Sequence, residues 1–421
     1  MIKSKPAWLM ATIALASFHI SAQTVKFECK SSGTSKPYCN YIKERFESET
    51  NHTLKFMELP SSSTEKLGIL QQSFAAKSSD FVDVLRIDVI WSGILDPHLM
   101  DITEHFSDKR SSFFTGAWDN NIVNGKLKAL PSSLDAGLLF YRKDLLARYN
   151  QPLPKTWQEM ASIAKYIQTE ERKAGATDFW GLVFQGKAYE GLTCDAIEWV
   201  SSNGGGAIVD KKGNITINNP KAAQALDMAA SWIGDISPKG VLAYQEEESR
   251  AVFQNGDALF MRNWPYAYVL GQADKSPVKG KIGIMPLPNG DSGHGAAALG
   301  GWQWAVNNYS KNKEASLQLL EILISPEAQK MQFMFEGLSP SLTALYDDPE
   351  ILNAAPHMKE FGAIFADAVA RPSSQTKLQY AKVSRAFFNA AFRTLSGEVD
   401  GATAIVDLEK RLKRIKGRKW K

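Results

Sequence analysis

Strand patterns and helix patterns alternate through the first hundred residues, and this alternation limits the fold more than any other feature of the chain. The segments TVKFEC, HTLKFMEL and VDVLRIDVIW have strand character. The segments between them, NYIKERFESETN and STEKLGILQQSFAAKSSD, carry apolar residues at helical spacing, and the second opens with Ser and Thr ahead of a Glu. Such an order of strand and helix predicts an α/β layer with a largely parallel sheet.

The whole chain favours two such lobes. Its 421 residues exceed the length of one ordinary domain, and the strand patterns beyond the first hundred residues are short and lie among many helical ones. We expect the chain to cross between the lobes near Ser133–Asp135, Leu299–Trp302 and Leu338–Thr343. The first lobe would contain residues 23–133 and 300–339, and the second residues 134–299 and 340–421. A cleft between two lobes is the usual place for a small ligand.

The first 22 residues have the three-part pattern of a secretory signal. Lys3 and Lys5 form a basic start, PAWLMATIALASF is an apolar run too short to span a membrane, and Ala22 supplies a small residue at the end. We therefore expect cleavage near Ala22 and export to the periplasm. Loss of the two lysines lowers the formal net charge from +4 to +2, and so small a charge favours no polyanionic partner.

Three cysteines occur, at positions 29, 39 and 194. In an oxidising compartment Cys29 and Cys39 can close the short loop CKSSGTSKPYC, although the sequence leaves other pairings open. Cys194 lies in the helical segment CDAIEWV, which favours a buried free thiol.

Common catalytic and cofactor motifs are missing from the sequence. There is no HExxH metal motif, no GxxxxGK[ST] phosphate loop and no GxSxG nucleophile elbow. A serine or zinc hydrolase therefore has little support, and we expect no cofactor or metal.

The last thirteen residues, EKRLKRIKGRKWK, contain eight basic side chains. Such a run either attaches a protein to an anionic surface or nucleic acid, or forms the solvated end of a last helix, where cations also suit the helix dipole. We favour the solvated helix end and expect no nucleic-acid partner.

Four short segments hold polar or aromatic residues where their neighbours would bury them. Asp88 interrupts the apolar strand LRIDVIW, and Asp135 stands at the foot of another strand in SSLDAGLLF. RNWPYAY brings Trp264 and Tyr266 together around a proline, which forbids a regular helix or central strand. In ALGGWQWAV two glycines precede Trp302. Taken singly, each feature has a structural explanation, such as a salt bridge for a carboxylate or core packing for a ring.

Together these segments suit the recognition of a carbohydrate. Flat rings match the apolar C–H faces of a sugar, and carboxylates accept charge-assisted hydrogen bonds from its hydroxyl groups. An arginine would donate to the ring or hydroxyl oxygens. The set therefore predicts a di- or oligosaccharide ligand.

Eight segments, in order along the chain, carry a resemblance to known proteins: DAGLLFYRKDLL, PKTWQEM, FWGLVFQGKAYEGLTCDAIEWVSSNGG, FMRNWPYAY, SPVKGKIGIMPLP, LGGWQWAV, SPEAQK and AVARP. Together they resemble the extracellular solute-binding proteins of bacterial ABC sugar importers, and among them the trehalose/maltose-binding subgroup. The resemblance implies an α/β, two-lobe periplasmic binding protein fold of type II-like architecture, with hinge strands between the lobes and the ligand cleft between them.

The resemblance also implies a function and a set of binding residues. The protein would capture a disaccharide by hinge closure, trehalose first and maltose or sucrose otherwise, and deliver it to the membrane subunits of an ABC permease. It would act as a monomer and catalyse nothing. The residues expected to bind the ligand are Asp88, Asp135, Trp264, Tyr266, Gly301, Trp302, Arg371, Lys66 and Gln185.

Three positions depart from the pattern of these proteins, and one of them is Ser133, which stands where some relatives place an aromatic residue. The loop after the first strand, SSGTSKPYC, lacks the carboxylate that often contacts the sugar, and Lys66 lies where the relatives usually carry an arginine. A lysine is a point charge rather than a bidentate fork. The departures bear on which sugar is bound more than on the class of ligand.

Two other functions use similar residues. A glycoside hydrolase needs two carboxylates about 5 to 9.5 Å apart, together with aromatic subsites. A binding protein for a quaternary amine would use the rings as a cage. The extended polar set, which includes Gln185 and Arg371, suits a polyhydroxylated ligand better than an amine.

Overall fold

The computed structural model describes residues 22–360, 368–418 and 420, without the side chains of His357 and Glu360. The secretory signal expected over residues 1–22 therefore falls, except for Ala22, outside the described residues. Within the described ranges, no helix is long and apolar enough to cross a membrane.

Two β-sheets organise the described part of the chain. The strands are β1 (Thr24–Glu28), β2 (Thr53–Met57), β3 (Val84–Asp88), β4 (Ile122–Val123), β5 (Lys126–Leu127), β6 (Leu130–Ala136), β7 (Leu138–Arg142), β8 (Trp180–Val183), β9 (Ala258–Asn263), β10 (Ile282–Pro286), β11 (Leu299–Val306) and β12 (Ser339–Pro340). The larger sheet has the order β12-β6-β11-β3-β1-β2, the smaller has the order β10-β7-β9-β8, and β4 pairs with β5. We call the larger sheet with its helices the first lobe, and the smaller sheet with its helices the second lobe.

In the first lobe, the strands agree in direction with the prediction where strand and helix patterns alternate regularly along the sequence. β1 pairs in parallel with β2 and with β3, which confirms the parallel arrangement expected for the first hundred residues. β11 then lies antiparallel between β3 and β6, so a strand from late in the chain completes the sheet.

Helices follow most of the strands along the chain. Their bounds are α1 (Lys36–Glu49), α2 (Ser63–Ala75), α3 (Ser92–Leu95), α4 (Thr103–Phe106), α5 (Thr115–Asp119), α6 (Lys143–Arg148), α7 (Trp157–Lys173), α8 (Glu190–Ser202), α9 (Pro220–Ser231), α10 (Glu246–Asn255), α11 (Tyr266–Gly271), α12 (Lys313–Leu323), α13 (Pro326–Glu336), α14 (Pro349–Ala354), α15 (Ser373–Thr376), α16 (Tyr380–Leu395) and α17 (Gly401–Lys416). The expected start of α2 is present, because the Ser62 side chain accepts a hydrogen bond from the Glu65 amide.

Each lobe has an aromatic core. In the second lobe Trp199 packs edge-on against both Phe184 and Trp232, at centroid distances of 5.4 and 5.8 Å. In the first lobe Trp304 packs against Phe27 at 5.4 Å. Burial of such large rings stabilises each lobe around its own sheet.

Within the described residues the chain passes between the lobes three times, and two of these crossings differ from expectation. β6 stays in the first sheet as far as Ala136, which pairs with Leu299, so the first crossing is at Gly137 and not at residue 134. The third crossing lies beyond residue 340, because Ser341 donates to the Pro131 carbonyl (2.8 Å) and Leu342 pairs with Phe113 of the first lobe. The second crossing lies between β10 and β11, next to the expected position.

A disulfide joins Cys29 and Cys39, whose Cα atoms are 5.9 Å apart. It ties the residue after β1 to the first turn of α1 and so constrains the loop residues SSGTS between them. Cys194 is a free, buried cysteine within α8.

Candidate ligand-binding site

A cavity of about 530 Å³ lies between the lobes. Side chains of the first sheet form one wall, and residues of α8, α10 and the segment after β9 form another. Eight of the nine residues expected to bind a ligand line this cavity: Lys66, Asp88, Asp135, Trp264, Tyr266, Gly301, Trp302 and Arg371. Its volume falls within the range of small-molecule sites in proteins.

Strand register brings the first-lobe residues together. Asp88 at the end of β3 lies opposite Trp302 of β11, and Asp135 of β6 lies opposite Gly300 of the same strand. Residues far apart in sequence therefore meet on β11, which runs between β3 and β6.

The two glycines of β11 are required for different physical reasons. A Cβ on Gly300 would lie 2.9 Å from the Trp264 ring and 3.1 Å from the Asp135 Cβ, so the glycine lets the indole approach the strand. Gly301 has a φ of +133°, and a Cβ there would lie 2.6 Å from the Ser133 carbonyl oxygen. Gly301 thus serves strand pairing, while Gly300 serves the cavity wall.

Arg371 links the two lobes across the cavity. Its Nη2 donates to the Asp88 Oδ1 of the first lobe and its Nη1 to the Glu190 Oε1 of the second, each at 2.9 Å. Glu190 also accepts from the Tyr380 hydroxyl and from the Ser384 hydroxyl. Because Arg371 is 5% exposed, this charge-assisted bridge is shielded from water and is stronger than a surface pair.

A direct contact reinforces the bridge. The Glu190 amide donates to the Thr64 hydroxyl of α2 at 3.1 Å. The first turn of α8 therefore contacts both the first lobe and the arginine. Burial raises the pKa of the Glu190 carboxyl, and the nearby Arg371 opposes that rise.

Asp135 is the least compensated carboxylate of the cavity. It is 5% exposed, and its Oδ1 has no hydrogen-bond partner among the described residues. Burial raises its pKa from the usual 3.8 to about 7, with Asp88 adding to the rise and Arg86 opposing it. A buried acceptor without a partner is costly unless a ligand supplies the hydrogen bond.

Trp264 forms the aromatic wall of the second lobe. The Arg262 guanidinium lies 4.1 Å from the centre of its ring, and Arg262 is itself fixed by a buried pair with Glu198. This stack, with the edge contact to Gly300, holds the indole in one orientation at the cavity.

Gln185 is the expected binding residue that the structure does not bring to the cavity. It is fully buried, and its Oε1 accepts from the Arg262 Nη1 at 2.9 Å while its Nε2 donates to Ser249 at 2.8 Å. The expectation of a ligand contact from Gln185 is therefore wrong. The residue supports Arg262, which in turn supports Trp264.

The segment RNWPYAY folds as a strand end followed by a short helix. Pro265 directly precedes α11, where its missing N–H costs no helical hydrogen bond. Tyr266 lines the cavity, and its hydroxyl donates to the Glu247 Oε1 at 2.6 Å. Pro265 thus precedes a helix, with Trp264 before the proline and Tyr266 as the first residue of the helix.

Cations already lie over the Trp302 ring. The Lys66 Nζ is 4.7 Å from its centre and the Arg86 guanidinium is 5.2 Å away. Lys66 also forms a buried ion pair with Glu28, and burial lowers its pKa while Glu28 opposes that change. The indole is further held by an edge contact with Trp91 at 6.2 Å.

Several charged residues of the cavity were not among the predicted binding residues. Glu28 ends β1 three residues before the loop SSGTSKPYC begins, so a first-lobe carboxylate is present although that loop has none. Arg86 was detectable, because it lies two residues before Asp88 on one strand and so shares its face. The remaining charged residues of this group are Lys30, Glu190, Glu246, Glu247, Arg250 and Glu336.

Several cavity residues have polar atoms that the described residues leave without a partner. They are the Tyr38 hydroxyl, the Arg86 Nε, the Asp135 Oδ1, the Trp304 Nε1 and the Arg371 Nε. Buried polar groups in folded proteins pair with protein groups or with water, so these atoms give the cavity hydrogen-bond donors and an acceptor that a ligand can use.

The fold and the cavity define a two-lobe ligand-binding protein, and comparison with known sequences gives its family. The chain belongs to the bacterial extracellular solute-binding protein family, whose model matches residues 31–330. A probable ABC transporter-binding protein of Deinococcus radiodurans is 44% identical over the full length of both chains.

Solved structures have the same fold. Maltose-bound MalE3 of T. maritima superposes with a TM-score of 0.89 at 36% identity, covering 94% of this chain and all of that one. The GacH receptor of Streptomyces glaucescens, solved with and without acarbose, gives a TM-score of 0.82 at 22% identity, covering 94% of this chain and 98% of that one. The two-lobe periplasmic binding protein fold expected from the sequence is thus confirmed.

Proposed function

We propose that this chain is the exported, periplasmic ligand-capturing component of an ABC sugar importer, and that it binds a disaccharide between its lobes. The observation that carries the proposal is the cavity itself, where unpartnered Asp135 lies beside the ring of Trp264 across Gly300. A sugar has hydroxyl groups that donate hydrogen bonds to a carboxylate, and C–H faces that pack on a flat ring. This pair of side chains therefore suits a sugar.

The charge arrangement favours a sugar over a quaternary amine. Trp264 already has a guanidinium over its ring, and Trp302 has both an ammonium and a guanidinium close to its ring. A cationic ligand placed on these rings would be repelled by the protein's own cations at short range. A neutral polyhydroxylated ligand meets no such repulsion.

The preferred sugar is a glucose disaccharide. The resemblance noted in the sequence makes trehalose the first candidate, with maltose and sucrose as the others. MalE3, which is 36% identical over nearly the whole chain, was solved with maltose bound, and this supports maltose as a ligand to be tested beside trehalose.

Ligand binding would act through the Arg371 bridge. Asp88 and Glu190 belong to different lobes, and Arg371 donates to both of them. A ligand that contacts these groups stabilises the arrangement in which all three meet, and so shifts the population toward closed lobes. The closed form would then dock on the permease as a monomer.

Binding would be followed by release of an unchanged sugar. The relatives that are similar over most of the chain are transport binding proteins. The rival hydrolase function predicts glucose release from maltose or trehalose, whereas our proposal predicts that the disaccharide is recovered intact after prolonged incubation.

Competition binding tests the ligand class. Tryptophan fluorescence should change on saturation with maltose or trehalose, since three indoles line the cavity, and choline in large excess should not reverse the change. If choline displaces the sugar, or binds alone with comparable affinity, the proposed ligand class is wrong.

A further inference from the structure

The C-terminal helix ends in a concentrated positive surface that the cavity does not use. We define the terminal basic patch as Lys211, Lys212, Lys410, Arg411, Lys413, Arg414, Lys416 and Arg418. The patch belongs to the second lobe, and none of its residues lines the cavity.

Trp420, near the end of the described residues, is fixed in place. The Gly213 carbonyl accepts hydrogen bonds from the Trp420 Nε1 at 2.8 Å and from the Lys416 Nζ at 2.6 Å. Trp420 is buried, and it packs over Gly213 in the turn that follows Lys211 and Lys212. The last helix thus ends in exposed cations, as expected of a solvated helix end, while Lys416 and Trp420 hold the segment after it against a second basic segment.

The cations of the patch face outward. Leu408 and Leu412 bury one side of α17, while Lys410, Lys413 and Arg414 are exposed on the other. Within the described residues, Arg411, Arg414 and Arg418 form no ion pair.

The patch carries more positive charge than the protein as a whole. The segments 210–213 and 407–418 contain eight basic and three acidic residues, a net charge of +5, whereas the whole chain has +4. The rest of the chain is therefore slightly negative. Such an uneven charge distribution orients a protein in an electric field. It favours binding of an anionic surface to the side of the protein that carries the patch.

We propose that the terminal basic patch docks the protein on anionic phospholipid headgroups. Clusters of four to eight Lys and Arg next to a membrane are typical of such binding, at about fivefold in affinity per cation. Nucleic acid is the less suitable partner, because the aromatic ring of the patch, Trp420, is buried and cannot stack on a base. The choice of lipid rests on the proposed function, which keeps the protein beside a membrane.

Docking through charge alone would be weak and reversible, since stable anchoring needs a second signal. It would also weaken with salt, because exposed charges are screened. The protein would stay near the membrane surface with its cavity accessible, since patch and cavity share no residue.

Vesicle co-sedimentation of the mature protein tests this proposal. We expect binding to vesicles of equal parts phosphatidylglycerol and phosphatidylcholine at low ionic strength, and none to phosphatidylcholine alone. The triple variant Arg411→Gln, Arg414→Gln, Arg418→Gln should bind on the order of a hundredfold more weakly.

A matched control removes the same charge elsewhere. Lys55, Lys311 and Lys313 are exposed cations of the first lobe without ion pairs among the described residues, and their replacement by Gln should leave vesicle binding unchanged. The proposal is overturned if the wild type does not bind the anionic vesicles, if the control variant loses as much as the patch variant, or if single-stranded DNA binds more tightly than the vesicles. Sugar titration of the same variants is a separate readout, so failure here does not touch the proposed function.

Discussion

A carboxylate that is buried without a partner stabilises a ligand complex at the cost of the unliganded fold. Asp135 is such a residue, because its Oδ1 accepts no hydrogen bond from the described residues and burial raises its pKa to about 7. Natural binding sites often contain groups that a more stable protein would lack.

The pH dependence of stability follows from this pKa. The pKa of Asp135 is near its usual value of 3.8 in the unfolded chain and about 7 in the folded chain. Above about pH 7 the carboxyl is ionised in both states, and its burial as a charge lowers the stability of the fold. Below about pH 4 the carboxyl is protonated in both states and has no such effect. We therefore expect Asp135→Asn to raise the melting temperature at pH 8, and to raise it much less at pH 4.

The same substitution should weaken sugar binding by about ten- to a hundredfold, because a hydrogen bond to a charged acceptor is worth about 1.5 to 3 kcal/mol. Asp178→Asn is the control, since Asp178 is exposed and outside the cavity. A melting temperature for Asp135→Asn that is unchanged at pH 8, measured by calorimetry, would contradict the account of this residue.

Trp264 gives a second prediction at the residue scale. Replacement by Ala removes the ring that lines the cavity, and we expect at least tenfold weaker sugar binding, or about 1.4 kcal/mol, from a protein that remains folded. Trp180→Ala is the matched control. Trp180 is also a partly exposed residue of the second lobe, and the Arg172 guanidinium lies 4.3 Å from the centre of its ring. Equal affinity of the two variants would show that Trp264 is a packing residue.

Individual site residues were predictable where a polar or aromatic residue broke an apolar pattern. Asp88, Asp135 and Trp302 stand out in this way, and all line the cavity. Glu28 ends an alternating strand in which a charge is ordinary, so nothing in the local pattern marks it. Gln185 was misplaced because only the tertiary structure shows that its amide is used by Arg262.

At the scale of elements, β11 determines the geometry of the site. It enters the first sheet from late in the chain, pairs with both β3 and β6, and carries Gly300 and Trp302. Sequence pattern predicted its strand character, but its place between two earlier strands depends on long-range pairing that local periodicity does not contain. The same limit explains why the third crossing between the lobes was placed too early.

Gly301→Ala should destabilise the first lobe. The added Cβ would meet the Ser133 carbonyl oxygen at 2.6 Å, and the backbone is in a conformation that L-residues rarely adopt, so we expect a loss of about 2 to 4 kcal/mol in the free energy of unfolding. Gly93→Ala in α3 is the control, since nothing lies within 4 Å of the added atom. Chemical denaturation measures both, and equal stabilities would contradict the strain at Gly301.

The two lobes of the described chain meet at Arg371 and at other contacts, which include Thr64 with α8 and α11 with α13. Because a ligand between the lobes would add contacts to both of them, ligand binding should change the balance between open and closed arrangements.

Small-angle scattering tests this change of shape. We expect the radius of gyration to fall when saturating sugar is added to the mature protein. Trp264→Ala at the same sugar concentration should show a smaller change, because less of it is bound. Identical profiles with and without sugar, for a protein shown to bind it, would contradict closure of the lobes.

The central claim is that the cavity between the lobes binds a disaccharide. Calorimetric titration of the ligand-free mature protein with trehalose, maltose and sucrose tests it most directly. We predict saturable binding of one sugar molecule per protein, for trehalose or maltose. No heat with any of the three, from a protein shown to be folded, would contradict the account and assign the cavity to another ligand.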